Sequence, residues 1–241
     1  MKTNTKIIFG CLLAVSLATV AYGCKGKASN TDNATDTVAT AKPVGPTFNA
    51  DSAYAFTAAQ CDFGPRVMNS AAHEKCGKWI VEKFKEYGCE VQEQKADLKA
   101  YDGTVLKSTN IIARFNPEAK KRILICAHWD SRPWADNDPD STNHKKPVMA
   151  ANDGASGVAV MLELARQLQA DKKLKVGVDF VCFDAEDWGV PRWETRYPNA
   201  DDSWALGAQY YAKNFPTPVK PEFGILLDMV GLSLIHISEP T

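Results

Sequence analysis

The sequence has no excess of either charge, no Cys-x-x-Cys pair and no internal repeat. Its 28 lysines and arginines almost match its 29 aspartates and glutamates, which gives a formal net charge of -1. This balance offers no basis for binding nucleic acid or for electrostatic attachment to a membrane surface. The apolar content of 45% is sufficient for one sizeable core in a chain of 241 residues.

A long apolar run is also missing, because the N-terminal apolar stretch is short for a membrane-spanning helix. Lys2 and Lys6 flank the start of this stretch, which ends in AYGC. The pattern predicts an export signal over residues 1–23. Small residues before Cys24 resemble a bacterial lipoprotein signal, although Ala21 replaces the usual leucine. We expect a lipid on Cys24 to anchor the exported protein, facing the periplasm or cell exterior. An ordinary secretory signal or a transmembrane anchor is the alternative.

The segment 24–48 is expected to be a flexible tether. It is rich in small polar residues and has almost no large apolar side chain, so burial cannot offset the entropy lost on ordering it.

The cysteine count is odd once the signal and the lipid site are set aside. Five cysteines then remain, so at least one stays unpaired within the chain. Cys126 and Cys182 lie in the most apolar runs and are expected to be buried strand residues. Cys61, Cys76 and Cys89 could supply one disulfide, but spacing does not decide the pairing.

The last ten residues, LSLIHISEPT, resemble the translation of a widely used sequencing adapter. We therefore expect residues 232–241 to be non-native and the natural chain to differ beyond about Gly231. An ordinary strand followed by a turn is the alternative. For this reason His236 is not taken as a metal-ligand candidate.

Residues 49–231 are predicted to form one α/β domain. Asp102-Gly103 is a strong hairpin signal between two strand candidates, and the later strands alternate with helices. We expect a mixed, mostly parallel central sheet in a three-layer arrangement. The predicted helices cover residues 49–61, 70–87, 155–169 and 203–214, and the predicted strands cover residues 89–98, 104–115, 122–127, 176–183 and 223–227.

Candidate ligands and catalytic groups directly follow three apolar runs. In HWDSR, His128 and Asp130 are two residues apart, so in extended chain they point the same way. An imidazole ligand needs a partner to fix its tautomer, and Asp130 could be that partner or a ligand itself. A partly buried histidine without a ligand role is the simpler interpretation of this motif alone.

Adjacent acids follow the apolar run VGVDFVCF. Glu186 and Asp187 would repel each other unless a cation or proton intervenes. One could bind metal while the other transfers protons, although a solvated strand end is the alternative. Asp153 in NDGASG is either a helix N-cap or a ligand. Asp228 interrupts the run GILLDMV, where a buried carboxylate is costly without a metal, a hydrogen bond or a counter-charge.

These four clusters together predict a divalent metal site, because strand ends and helix starts converge on one crevice in such a sheet. The motif series HWDS, NDGASGVAVMLELAR, FDAEDW, SWALGAQYYA and LLDMVG resembles that of the zinc-dependent aminopeptidases and their relatives, the animal-type glutaminyl-peptide cyclotransferases. The resemblance covers about residues 50–230. It is closest to the cyclotransferase branch, because a long segment with three tryptophans follows Asp187.

The cyclotransferase resemblance implies a zinc exopeptidase-like fold and one zinc ion. Asp153 and Asp187 would be its ligands, with Asp187 standing where glutamate is common, and a later histidine would be the third ligand. Glu186 would transfer protons while N-terminal glutamine is converted to pyroglutamate, and Asp228 would hold the amine or the tetrahedral intermediate. Asp130 would support the site from behind the ligands. The partners would be N-terminal segments of peptides or proteins.

The aminopeptidase resemblance implies two zinc ions at the same residues. His128 and Asp228 would join a second metal, Asp153 would bridge the two, and Glu186 would activate a water molecule. A catalytically inactive binding module is a third hypothesis, and the retention of Glu186 and of the other site residues argues against it.

Overall fold

The computed structural model describes residues 45–170, 174–197, 200–216 and 219–231. The predicted export signal, the lipidation site at Cys24, most of the tether and the segment 232–241 lie outside these ranges. None of the described helices is both long enough and apolar enough to cross a membrane.

Four α-helices and five β-strands make up the described ranges, together with short 3-10 turns. The helices are α1 (Ala50–Cys61), α2 (Ala71–Glu86), α3 (Ser156–Ala170) and α4 (Leu206–Lys213). The strands are β1 (Glu90–Lys99), β2 (Val105–Phe115), β3 (Arg122–His128), β4 (Gly177–Phe183) and β5 (Gly224–Leu226).

Local sequence signals account for several of these boundaries. Asn49 caps α1 by accepting a hydrogen bond from the Ser52 N–H, and Ser70 caps α2 by accepting from the His73 N–H. At the hairpin between β1 and β2, the Asp102 side chain accepts from the Thr104 N–H, and Gly103 has a φ of +87°. Such a backbone conformation favours glycine.

The sheet is mixed and has the strand order β1-β2-β4-β3-β5. β1 with β2 and β2 with β4 are antiparallel pairs, whereas β3 pairs in parallel with both β4 and β5. The predicted mixed α/β sheet flanked by helices is therefore confirmed, with an even balance of parallel and antiparallel pairings where we expected mostly parallel ones.

Alternating strand residues bury two faces of the sheet and give three layers. On one face, Ile111 and Phe180 pack in the main core with apolar residues of α2 and α3. On the opposite face, Ile112 and Val181 pack against Tyr211 of α4. Because α1 contacts α3, three helices cover one face and α4 covers the other.

β5 corresponds to the predicted strand over residues 223–227. Within the described ranges it pairs only with β3 and lies at the edge of the sheet. Its residues Ile225 and Leu226 are 44% and 65% exposed. An apolar run predicts a strand, but it does not tell whether a second neighbour covers the strand.

The five cysteines in the described ranges are all free. Cys126 and Cys182 are buried strand residues, as predicted. Cys61, Cys76 and Cys89, which could have supplied one disulfide, form none.

Candidate functional site

The predicted site residues meet at the carboxyl ends of β3, β4 and β5. His128 ends β3, Glu186 and Asp187 follow β4, and Asp228 follows β5. Asp153 lies in the kinked turn Ala151–Ala155 just before α3. Parallel pairing of β3 with both neighbours brings three of these chain segments to the same edge.

His128 is at the centre of the group. Its Nε2 lies 2.8 Å from Asp153 Oδ1 and 3.7 Å from Asp228 Oδ1. Its Nδ1 lies 3.6 Å from Asp130 Oδ1 and 4.0 Å from Glu186 Oε2. The first distance is a hydrogen bond, and the others place three further carboxylates around the ring.

Asp153 reaches this position because the chain turns sharply after it. Gly154 has a φ of +92°, and a side-chain carbon there would come within 3.0 Å of the Asp130 carbonyl oxygen and the His128 ring. Glycine is therefore required for this close approach. The Asp153 side chain interacts with His128. It therefore contacts the site and does not cap the backbone of α3.

Asp130 supports the site from below. Its carboxylate is fully buried and accepts hydrogen bonds from the backbone N–H groups of Glu186 and Asp187, both at 3.1 Å. It thereby fixes the two residues that follow β4. Burial alone would raise the pKa of Asp130, but His128 and the two backbone donors hold that pKa below its usual value.

The pKa values of the paired acids are both raised. Burial is the main cause, and the neighbouring carboxylates Asp130 and Asp153 add to it. The pKa of Glu186 is about 7 and that of Asp187 is about 8. Burial alone would lower the pKa of His128, but the surrounding carboxylates raise it well above its usual value. Without a metal, Glu186, Asp187 and His128 therefore hold their protons more tightly than usual, as expected where carboxylates converge without a cation.

The donor set fits a divalent metal. Ligand atoms of His128, Asp153 and Asp187 all lie within 4.8 Å of one another. Asp187 Oδ2 is buried and has no hydrogen-bond partner among the described residues. A cation would satisfy this oxygen, and imidazole and carboxylate are ligands that zinc accepts.

Three supporting residues were not predicted from the sequence. Arg66 is fully buried and donates hydrogen bonds to the carbonyl oxygens of Trp129, Met149 and Ala150. Asp184 accepts from His73 at 2.8 Å and from the Thr109 N–H at 2.6 Å. Arg132 donates to Asp136 and to the Asp187 carbonyl oxygen. Arg132 and Asp184 lie inside the quoted motifs HWDSR and FDAEDW, whereas Arg66 lies outside every motif.

The segment that carries the tryptophans closes back on the site. The N–H groups of Ala205 and Leu206 donate to the carbonyl oxygens of Glu186 and Ala185, both at 2.9 Å. The segment 188–204, which we call the tryptophan insert, therefore begins and ends beside the paired acids.

Comparisons with known proteins agree with this site. Residues 110–234, just over half of the chain, match the model described as peptidase family M28. The chain belongs to peptidase family M28. The matched region contains every residue of the carboxylate group around His128.

Two solved structures have a similar fold. One is a Zn-dependent exopeptidase from Parabacteroides distasonis, with 51% identity and a TM-score of 0.75. The other is a glutaminyl cyclase from Bacteroides thetaiotaomicron bound to N-acetylhistamine, with 48% identity and a TM-score of 0.75. Each alignment covers 78% of this chain and 63% or 64% of the solved chain.

Among curated relatives, the aminopeptidase YwaD of Bacillus subtilis is 31% identical over 174 residues, which are 68% of this chain and 31% of that protein. The M28 chain described here therefore spans less than two thirds of the length of each of these three proteins.

Proposed function

We propose that the protein is a zinc-dependent glutaminyl-peptide cyclotransferase, which converts N-terminal glutamine to pyroglutamate and releases ammonia. Glu186, a half-buried acid next to the group His128, Asp153 and Asp187, supplies the acid/base group. The observation that carries the cyclotransferase assignment is the tryptophan insert beside this acid, because it favours a closed pocket for one small side chain over an open peptidase cleft. The likeness to a glutaminyl cyclase at 48% identity supports the same assignment.

Asp153 and Asp187 would hold one zinc ion, together with the later histidine that the resemblance implies. His128, which the resemblance assigns to a second metal, lies within reach of the same ion. When bound, zinc supplies a Lewis acid that polarises a carbonyl oxygen. Asp187 would be the buried ligand, since its Oδ2 has no other partner in the described ranges.

Glu186 would carry the proton that the reaction must move. The α-amine nitrogen of the substrate attacks the carbon of its own γ-amide, forming the ring C–N bond. The C–N bond to the amide nitrogen then breaks, and that nitrogen leaves as ammonia after gaining a proton. Glu186 would accept the proton from the α-amine and donate it to the leaving nitrogen, a role that suits a half-buried acid beside the ligand group.

Asp228 would orient the substrate amine. Its side chain is 45% exposed at the open side of the group and lies 3.7 Å from His128. In the metal-free site His128 holds the pKa of Asp228 below its usual value. An aspartate is ionised at neutral pH even at its ordinary pKa, so this carboxylate can accept a hydrogen bond from an amine.

A two-zinc aminopeptidase is the second candidate. Asp228 and Asp153 both face His128 Nε2, which would allow a second metal, and an aminopeptidase is among the relatives. In this case Glu186 would activate a water molecule that hydrolyses the N-terminal peptide bond.

The test is to assay the full-length protein with a Gln-initiated peptide and a matched Leu-initiated peptide, while measuring zinc per chain. Pyroglutamate and ammonia with about one zinc support the cyclotransferase. Free leucine without pyroglutamate, and two zinc ions, would establish the aminopeptidase instead.

We also propose that the protein is exported and held to a membrane by a lipid on Cys24. The support is the N-terminal pattern of Lys2, Lys6, a short apolar run and small residues before Cys24. Metabolic labelling with a fatty acid should mark the natural protein and leave a Cys24→Ala variant unlabelled. Labelling of both forms would contradict the proposal.

A further inference from the structure

We propose that Arg132 is a positioning residue that holds the tryptophan insert over the site and fixes Asp187 as a metal ligand. This inference rests on the proposed zinc site and adds a residue outside the ligand group. Three independent contacts of the Arg132 guanidinium support it.

The first contact is a paired hydrogen bond to Asp136. Arg132 Nε and Nη2 donate to the two carboxylate oxygens at 2.6 Å each, and both side chains are buried. Burial alone would raise the pKa of Asp136, but Arg132 and the Arg192 N–H hold that pKa low. A fork of this shape is specific to arginine, because lysine has a single nitrogen and cannot match both oxygens.

The second contact reaches the candidate ligand. Arg132 Nη1 donates to the Asp187 carbonyl oxygen at 3.1 Å, while the Asp187 N–H donates to Asp130 at 3.1 Å. The backbone of Asp187 is thus fixed on both sides. Arg132 Nη1 also lies 3.8 Å from Asp187 Oδ1, and the other oxygen, Oδ2, is the buried atom without a partner in the described ranges.

The third contact is with the insert. The Arg132 guanidinium carbon lies 4.5 Å from the centre of the Trp204 ring system, in range for a cation–π interaction. Trp204 also packs on Gly189, where a side-chain carbon would fall 2.0 Å from the ring. Asp136 accepts from the Arg192 N–H at 3.0 Å. The Arg132–Asp136 pair therefore holds the insert at two positions.

Arg132→Lys is the decisive variant, since it keeps the charge and removes the fork. We expect zinc to bind about 10–100-fold more weakly, the usual loss when a group supporting a ligand is removed. We also expect trypsin to cleave faster after Arg192 or Arg196, which are exposed in the insert. Zinc affinity is measured by competition with a chelator, and cleavage by limited proteolysis of the full-length protein.

Gly189→Ala is a second variant that leaves every charged group in place. It should displace Trp204, speed cleavage of the insert and weaken zinc binding in the same direction. Arg192→Lys is the matched control. The Arg192 side chain is exposed, so this substitution leaves the contact between Arg132 and Trp204 intact and retains a trypsin cleavage site. It should bind zinc and be cleaved like the natural protein.

A merely structural role would lower the stability of the metal-free Arg132→Lys protein while leaving zinc affinity and cleavage unchanged. That result overturns the inference, as does normal zinc binding by a folded Gly189→Ala protein. Both outcomes leave the proposed function intact if the natural protein binds zinc and forms pyroglutamate. Failure of the natural protein to bind zinc would instead remove the proposed function itself.

Discussion

The floor and the rim of the candidate site are built in different ways. The floor consists of His128, Asp130 and Asp187, whose side chains are at most 5% exposed. The rim consists of Asp153, Glu186 and Asp228, whose side chains are 32–45% exposed. The Asp130 carboxylate and the backbone of Asp187 are held by hydrogen bonds, whereas rim groups are open to a substrate.

This difference separates the residues on which the stability of the fold depends from the residues on which the reaction depends. Removing the Asp130 carboxylate leaves two backbone donors without partners, which costs stability as well as ligand geometry. Removing a rim group leaves a vacancy that water can fill. Changes at Asp130 should therefore alter both stability and zinc affinity, and changes at Glu186 and Asp228 should act mainly on turnover. A change at Asp153, the rim residue grouped with the ligands, should act on zinc affinity.

The largest effect is expected in the rim. Glu186→Gln keeps the shape of the side chain but cannot transfer a proton, so turnover of a Gln-initiated peptide should fall about 10²–10⁴-fold. Zinc content and the unfolding temperature should stay close to those of the natural protein. A variant that retains full turnover would show that another group moves the proton.

Metal removal should have the next largest effect, and it should affect both the floor and the rim of the site. A ligand at 100 times its dissociation constant stabilises a folded protein by about 2.7 kcal/mol. Thermal unfolding with and without a chelator measures the difference. Asp153→Asn should reduce this zinc-dependent shift, and an undiminished shift would exclude Asp153 as a ligand.

Asp130→Asn tests the floor directly. An amide can accept from only one of the two N–H groups of Glu186 and Asp187, and its own NH₂ group would face the other. We expect a loss of about 1–3 kcal/mol in the free energy of unfolding. Chemical denaturation of the metal-free protein measures it, and an unchanged midpoint would mean that the floor does not depend on these bonds.

The smallest effect is expected for Asp228→Asn. Because this side chain is 45% exposed, the free energy of unfolding should change by no more than about 0.5 kcal/mol. Turnover should still fall, since the amide carries no charge to orient an amine. A loss of stability as large as that of Asp130→Asn would erase the distinction between floor and rim.

The sequence predicted the elements that depend on local signals. Ser70 as a helix cap and Asp102-Gly103 as a hairpin turn needed only neighbouring residues. The expected start of the fourth helix at Ser203 was too early. Ala205 takes a φ of +53°, which separates the short turn Ala200–Ser203 from α4. No residue type in that stretch signals the break.

The sequence also predicted which rim and floor residues would meet, because apolar runs followed by acids mark strand ends. It did not predict what supports them. Arg66 and Arg132 act through partners that are 63 and 55 residues away in the chain, and such contacts leave no local pattern. The order of the strands within the described ranges depends likewise on long-range pairing, which the residues of one strand do not encode.

The free cysteines affect how the protein is inactivated by heat. Burial raises the pKa of Cys76 and Cys89 to about 12 and that of Cys126 to about 11, so the folded protein presents almost no thiolate there. An unfolded chain regains ordinary thiols, with a pKa of about 8.5, that react with oxidants and with each other. In air, inactivation should therefore follow the rate of unfolding and become irreversible, whereas a reducing agent should restore refolding.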